Sequence, residues 1–158
     1  MATDDLKSLN GKANQDGFWQ TKRLSELSKA EWEALCDGCG QCCLVKLEDE
    51  ETGDLYHTRI ACRMLDIGKC RCTDYENRHA RVWDCLSIDP ESILAIHWLP
   101  VTCGYRCVAE GRELAWWHPL ISDDPESVHK AGISVRSTAI SEVKIAEDDY
   151  RNFIISKR

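Results

Sequence analysis

Residues 36–43 read CDGCGQCC, which places four thiols, Cys36, Cys39, Cys42 and Cys43, within eight residues. Four more cysteines follow at 62, 70, 72 and 85, and the last two at 103 and 107. Sulfurs this dense serve disulfides, a metal or catalysis. Disulfides between near neighbours close small, strained loops, and a reducing compartment breaks them. Metal ligands must be deprotonated and must converge, and a C-x-x-C turn brings two sulfurs to one side of a tight loop. Gly38 and Gly40 flank Cys39, where their conformational freedom lets the backbone fold sharply. Metal binding is therefore the preferred reading of Cys36, Cys39, Cys42 and Cys43, with Cys62, Cys70, Cys72 and Cys85 available as further ligands. For Cys103 and Cys107 the preferred reading is buried, apolar packing.

The doublet Cys42-Cys43 complicates a single small ion, because adjacent side chains point in different directions on a helix or a strand. Eight sulfurs suffice for two four-thiolate sites, or for one site with spare structural cysteines. Known spacings match only in part. A zinc ribbon repeats C-x2-C, whereas the later pair here is Cys70-x-Cys72. The ferredoxin run C-x2-C-x2-C-x3-C-P begins at Cys36, Cys39 and Cys42 and then stops. Spacing thus signals a metal without identifying it, and zinc or iron, mononuclear or in an iron–sulfur cluster, is the expectation.

The elements that must position these sulfurs are short. Ser28 and Glu31 form a capping-box pattern ahead of a helix that leads into Cys36. Strands are expected near 44–48 and 54–60, joined by a turn at Thr52-Gly53-Asp54. Gly68 marks a turn between cysteine-bearing arms, and YENRHARVWDC predicts a short helix before Cys85. Asp89-Pro90 predicts a helix through ESILAIH, with further helices from TCGYRCVAE and PESVHK. AGISVRSTAI alternates as a strand does, and EDDYRNFIISKR is amphipathic. The whole reads as a small, single-domain, cysteine-rich α+β fold, with short helices and hairpins around a metal-binding cysteine cluster. A loose segment is expected over 1–17 and the domain over 18–158, divided into a cysteine core (36–85) and a helical or mixed part (86–158).

The 158 residues carry a net charge of −7, which argues against a nucleic-acid partner. The chain has no apolar run long enough to span a membrane. The opening MATDDLKSLNGKANQDG lacks the basic start and apolar run of a signal peptide, so a cytoplasmic location is expected. Between Arg59 and Arg81, six basic residues stand against three acidic ones. Either these cations lower the pKa of the neighbouring thiols, or the stretch is an ordinary solvated surface. Among the histidines, His79 is a reserve ligand between Cys72 and Cys85. His118, beside Trp116-Trp117, suits either a small-ligand cleft or core packing, and packing is preferred. Tyr75, Glu76 and Arg78 could orient ligands or donate to sulfur.

CDGCGQCC, followed by ACRMLD, GKCRCTDYENR and Cys85, resembles the bacterial CxxCxxCC family of zinc- or iron-chelating domains. With the tail WLPVTCGYRCVAEGRELAWWHPLISDDPESVHKAGISV, it is most similar to the YcgN-like branch. The resemblance spans roughly residues 18–150. It implies metal binding through Cys36, Cys39, Cys42, Cys43, Cys62, Cys72 and Cys85, and no established reaction. Three functions follow as expectations: a metal-binding protein, an iron–sulfur redox protein or oxidoreductase component, and a zinc-stabilised module that docks a protein partner.

Overall fold

The computed structural model describes residues 17–157. Positions 1–16 of the expected loose segment lie outside the described residues. The chain forms two compact units and crosses between them after Asp37, Leu86 and Gly132. One unit is helical, the other carries all the strands among the described residues, and the chain is an α+β protein.

The helical unit holds residues 17–37 and 87–132. Its helices are Phe18–Thr21, Lys29–Ala34, Gly104–Ala109, Pro119–Ser122 and Ser127–Lys130, with 3-10 turns at Leu24–Glu26 and Ile93–Ala95. The capping box forms as the sequence predicts: Ser28 Oγ accepts the Glu31 N–H at 3.1 Å, and Glu31 accepts the Ser28 N–H at 2.8 Å. Local side chains satisfy donors that the helix itself leaves orphaned. Trp32 then buries against Tyr105, with ring centroids 4.7 Å apart, and donates its indole N–H to the Ile88 carbonyl at 3.0 Å. The helix expected after Asp89-Pro90 starts but does not propagate. Asp89 Oδ1 caps the N–H groups of Glu91 and Ser92, yet only Ile93–Ala95 coil, as a 3-10 turn. Burial of Ile93 and Leu99 fixes this stretch, overriding a weak local preference.

His118 is the polar centre of this unit and is 1% exposed. Its Nε2 stands 2.8 Å from the Leu35 carbonyl, and its Nδ1 accepts the Leu120 N–H at 3.1 Å. That pattern fits a neutral ring protonated on Nε2. Burial pulls its pKa below the usual histidine range, against the opposing pull of the Leu35 bond and the Asp37 charge. His118 is thus a satisfied core histidine. The helix Gly104–Ala109 approaches so closely that a Cβ on Gly104 would stand 1.9 Å from the Leu35 oxygen.

The second unit holds residues 38–86 and 133–157. Strands β1 (Leu44–Glu48) and β2 (Leu55–Ala61) form the expected antiparallel hairpin. Asp49 Oδ1 accepts the N–H groups of Glu51 and Thr52 and so organises the turn, the local Asx geometry that favours Asp there. The hairpin is bulged, since Leu44 pairs with Ala61 but Lys46 with His57. Buried Thr58 fills the bulge. Its hydroxyl donates to the Val45 carbonyl at 2.7 Å and accepts the Ile60 N–H at 3.2 Å, serving groups that the shifted ladder leaves over.

Strands β3 (Leu65–Asp66) and β4 (Arg71–Cys72) make a second small hairpin. Strand β5 (Ile140–Ser141) pairs in parallel with the end of β2, and β6 (Ile154–Lys157) pairs antiparallel with its start. The strand expected over AGISVRSTAI is corrected: Val135–Ser137 form a 3-10 turn and only Ile140–Ser141 extend. Val135 decides this by turning into the core beside Leu44, Ala61, Leu65 and Cys70. EDDYRNF is 3-10 helical before β6 begins.

Candidate metal centre

In the strand-bearing unit the cysteine loop is built on left-handed glycines, as the sequence predicts. Gly38 has φ +80° and Gly40 φ +75°. Gly40 caps the 3-10 turn Gln41–Cys43, which feeds directly into β1. A Cβ on Gly40 would also stand 2.8 Å from Val135 Cγ2, so glycine is required both for conformation and for space.

Three further segments come to this turn. The Cys62 N–H donates to the Cys43 carbonyl at 2.9 Å, pinning the end of β2 beside the doublet. The β3–β4 hairpin follows, and within it Cys72 pairs with Leu65. The Thr73 N–H and hydroxyl both donate to the Met64 carbonyl, at 2.7 and 2.8 Å, which closes the hairpin end nearest Cys62. Arg63 brings in the fourth segment, donating through Nη2 to the Arg81 carbonyl at 2.5 Å. Arg81 in turn pairs with Asp74 at 2.7 Å. Cys85 then follows the short helix Arg78–Arg81, its N–H on the Val82 carbonyl at 3.0 Å.

The sulfurs so delivered act on one another. The hydrogen bond with Cys42 is the largest influence pushing the Cys43 thiol far above its usual range, followed by burial and by the charges of Cys42 and Cys62, while Lys46 pulls it back. Burial raises the Cys62 thiol, helped by Glu142 and Cys72. Burial also raises Cys85, with Cys62, Cys72 and Cys42 adding to the rise and Arg78 opposing it. Cys42, Cys43, Cys62, Cys72 and Cys85 therefore share one electrostatic neighbourhood. Cys39 reaches its edge through Lys46, whose ammonium donates to the Gln41 and Cys42 carbonyls at 3.2 and 3.0 Å. Burial pulls Lys46 down to about 8, against the thiols of Cys42, Cys43 and Cys39.

Cys42 is the largest influence on the Cys43 thiol, where the chain passes from the turn Gln41–Cys43 into β1. One expectation about charge changes here. The basic residues were weighed as lowering the thiol pKa values. Arg63 and Arg78 do pull Cys62 and Cys85 down, but burial and thiol–thiol repulsion outweigh them. Arg78 is engaged locally, stacking over Tyr75 at 3.9 Å and donating to its carbonyl at 2.7 Å.

The remaining candidates are elsewhere. Cys70 takes φ +52° and packs in the apolar core, its thiol 3.4 Å from the Ile67 carbonyl. Cys36 lies one residue before the end of the first segment of the helical unit. Cys107 is buried in that unit too, with the Val101 carbonyl at 3.4 Å and Arg112 Nη1 at 3.5 Å from its sulfur, and Cys103 caps the helix that carries it. His79 is exposed.

None of the ten cysteines is disulfide-bonded. Among the described residues, no three His, Cys, Asp or Glu side chains are gathered as a ready metal-binding group. The donor set nonetheless fits a soft or borderline cation. Its thiols are partly buried, come from four chain segments and repel one another when ionised, which is the repulsion a shared cation removes. One sulfur already has an outer partner, since the Met64 N–H donates to Cys62 Sγ at 3.4 Å.

Comparison with known proteins gives the class of this site. Residues 35–104 match the CxxCxxCC family, described as "Putative zinc- or iron-chelating domain". A UPF0260 protein of Sinorhizobium fredii is 56% identical over 139 residues, covering 88% of this chain and 90% of its own. One from Nitrobacter hamburgensis is 59% identical over 125 residues (78% and 73%), and one from Rhodopseudomonas palustris 55% over 144 (90% and 85%). The chain belongs to the UPF0260 family, and its residues 35–104 carry the match to the CxxCxxCC domain. No solved structure matches it. No described helix is long and apolar enough to cross a membrane.

Proposed function

We propose that this chain is a cytoplasmic metal-thiolate protein of the YcgN-like branch, holding zinc or iron in its strand-bearing unit. The observation that carries this is that backbone and side-chain bonds tie together the four segments that carry Cys42, Cys43, Cys62, Cys72 and Cys85, with neighbouring thiols acting on Cys43, Cys62 and Cys85. These five are the proposed ligand pool, with Cys39 beside them and Cys36 preceding them in the motif. Cys70 serves the core. A bound cation would supply the positive charge that lets the buried sulfurs ionise together. The chain's own part is to deliver the sulfurs: Gly40 shapes the turn, the Cys43–Cys62 backbone bond fixes two segments, the β3–β4 hairpin is the third, and Arg63 holds the fourth. Lys46 adds a cation behind the doublet. The location rests on ten cysteines without a disulfide, the pattern of a reducing compartment.

The test is elemental analysis of tag-free protein purified without oxygen, together with its absorption spectrum. The expected result is roughly one or more equivalents of zinc or iron, as four-thiolate sites hold. Metal below about a tenth of an equivalent, with all thiols reactive, sinks the proposal. A second reading, an iron–sulfur redox centre, is favoured by the Met64 N–H on Cys62 Sγ, because hydrogen bonds to sulfur tune cluster potentials. It requires a brown protein whose visible bands bleach on reduction, and a colourless zinc protein rejects it.

A further inference from the structure

The strand-bearing unit carries a groove of about 700 Å³ with no cysteine in its lining, though one lining residue, Glu142, adds to the rise of the Cys62 thiol. Five carboxylates line it, those of Glu48, Asp84, Glu142, Glu147 and Asp148, against the single guanidinium of Arg151. Glu142 is held by Arg63, through the backbone N–H at 2.8 Å and Nη1 at 3.5 Å. Glu48, Asp84, Glu147 and Asp148 have no ion-pair partner among the described residues. Like charges crowded in a concave surface raise the folding cost and focus a negative potential outward. That potential is felt within the groove, where Glu142 and Glu147 add to the burial that raises the Tyr150 phenol.

The groove is not purely polar. Val45 and Leu47, on one face of the edge strand β1, line it together with Tyr150. Immediately before Asp84 stands Trp83, 91% exposed, and immediately after Glu142 stands Val143, 72% exposed. An indole so fully in water contributes nothing to this chain's own core. Tryptophan is also the residue most enriched among the anchors of protein interfaces. Small-molecule pockets, in contrast, are walled mainly by apolar side chains, and no three of these carboxylates are gathered as a cation site.

We infer that this groove, with Trp83 at its margin, docks an extended basic segment of a partner protein. Lysine and arginine side chains of that segment face Glu48, Glu147 and Asp148. Its intervening apolar residues, or an arginine stacked on the indole, cover Trp83, and both contacts lose water on binding. The inference needs no particular metal, and its test variants leave alone Glu142, the lining residue that acts on Cys62.

The probe is a fluorescein-labelled eight-residue peptide alternating arginine or lysine with leucine or valine, titrated with the full chain and followed by anisotropy. Its control carries glutamate in place of each basic residue. The test variants are E48Q/E147Q/D148N, which keeps shape and removes charge, and W83A; circular dichroism and metal content check that both fold as the parent does. Expected outcomes are binding of the basic peptide only, at least about tenfold weaker for the triple variant and about fivefold weaker for W83A. Raising salt from about 50 to 500 mM should weaken binding at least about tenfold. Either variant within twofold of the parent, equal binding of the acidic control, or no binding at millimolar peptide overturns the inference. So does sedimentation showing a dimer that the triple variant dissolves, which would make the occupant a second copy of this chain.

Discussion

The two units bury polar chemistry in opposite ways. In the helical unit His118 sits at the centre with each ring nitrogen on a backbone partner, one from Leu35 and one from Leu120. The network is complete without any outside group, and a satisfied buried network of this kind rigidifies a core. In the strand-bearing unit the buried polar groups are thiols, and they answer mainly to one another. Crowded thiols in poor solvent hold their protons at a cost to ionisation that only a cation relieves. A satisfied imidazole and a set of mutually repelling thiols lie in the same chain, and the contrast is between these two groups rather than between whole units, since the helical unit also buries the Trp19 and Trp117 indole nitrogens without a hydrogen-bond partner.

The comparison is broken most directly by taking the proposed cation away. A chelator, or the substitution C62S, is expected to cost the strand-bearing unit about 4 kcal/mol or more, since metal-binding energy is folding energy where the site is assembled from distant segments. Native-state hydrogen exchange reads this locally. Amides of β1 and β2 should lose about a thousandfold in protection, while those of Lys29–Ala34 hold theirs. Equal losses in both units would show that the thiols are as self-sufficient as the histidine.

The glycines sharpen the contrast in steric terms. G104A places a Cβ 1.9 Å from the Leu35 carbonyl oxygen and 2.9 Å from His118 Nε2. Neither can yield without breaking the network, so a loss of about 3 kcal/mol or more is expected in urea unfolding. G40A meets only a valine methyl at 2.8 Å but must hold φ +75°. Its cost is expected nearer 1–2 kcal/mol, the price of a left-handed alanine plus a small side-chain shift. A G104A protein as stable as its parent would mean that the helical core is not packed as described.

Smaller again is T58V, which keeps the volume and removes the hydroxyl. The Val45 carbonyl and Ile60 N–H each lose a buried partner, for about 1–2 kcal/mol. Metal content should not change, because the bulge is a repair within the sheet. Loss of metal from T58V would tie the bulge to the thiol centre and blur the division between framework and site.

What the sequence made legible follows the range of the interaction. The Ser28–Glu31 box, the turn expected at Thr52-Gly53-Asp54 and the sharp bends at Gly38 and Gly40 are decided within a few residues, and each forms, although the role of Asp49 in organising the turn appears only in the structure. The β1–β2 hairpin is equally readable. Its bulge is not, because Thr58 looks like any strand threonine until Val45 is opposite it. The strand expected over AGISVRSTAI and the helix after Asp89-Pro90 were lost to burial of Val135, Ile93 and Leu99, whose partners are distant in sequence. The same limit governs the site. Spacing marks out the cysteines, but only the fold separates Cys70, packed in the core, from Cys72 two residues later. Nor does spacing show that the chain changes units between Cys36 and Cys39. The acidic groove left the weakest trace, since Glu48, Asp84 and Glu147–Asp148 are scattered among ordinary surface charges.

The smallest effect tests the histidine itself. Burial lowers the His118 pKa in the folded chain, while an unfolded histidine titrates near about 6.5. Between those two values the unfolded state binds the extra proton and the folded state does not, so unfolding is favoured as pH falls. The stabilisation is complete above about pH 6.5 and drains away as the pH drops toward the folded pKa, at about 1.4 kcal/mol per unit of depression. Protonating Nδ1 also forfeits the Leu120 N–H bond, which is why the folded ring resists. Exchange of the Gly104–Ala109 amides, corrected for intrinsic rates, isolates this unit from acid release of metal in the other. The parent should lose protection from pH 7 to 5.5, and H118Q, less stable throughout, should lose distinctly less. A parent as well protected at pH 5.5 as at 7 would mean that the imidazole accepts its second proton without cost, and that the core around it is not closed.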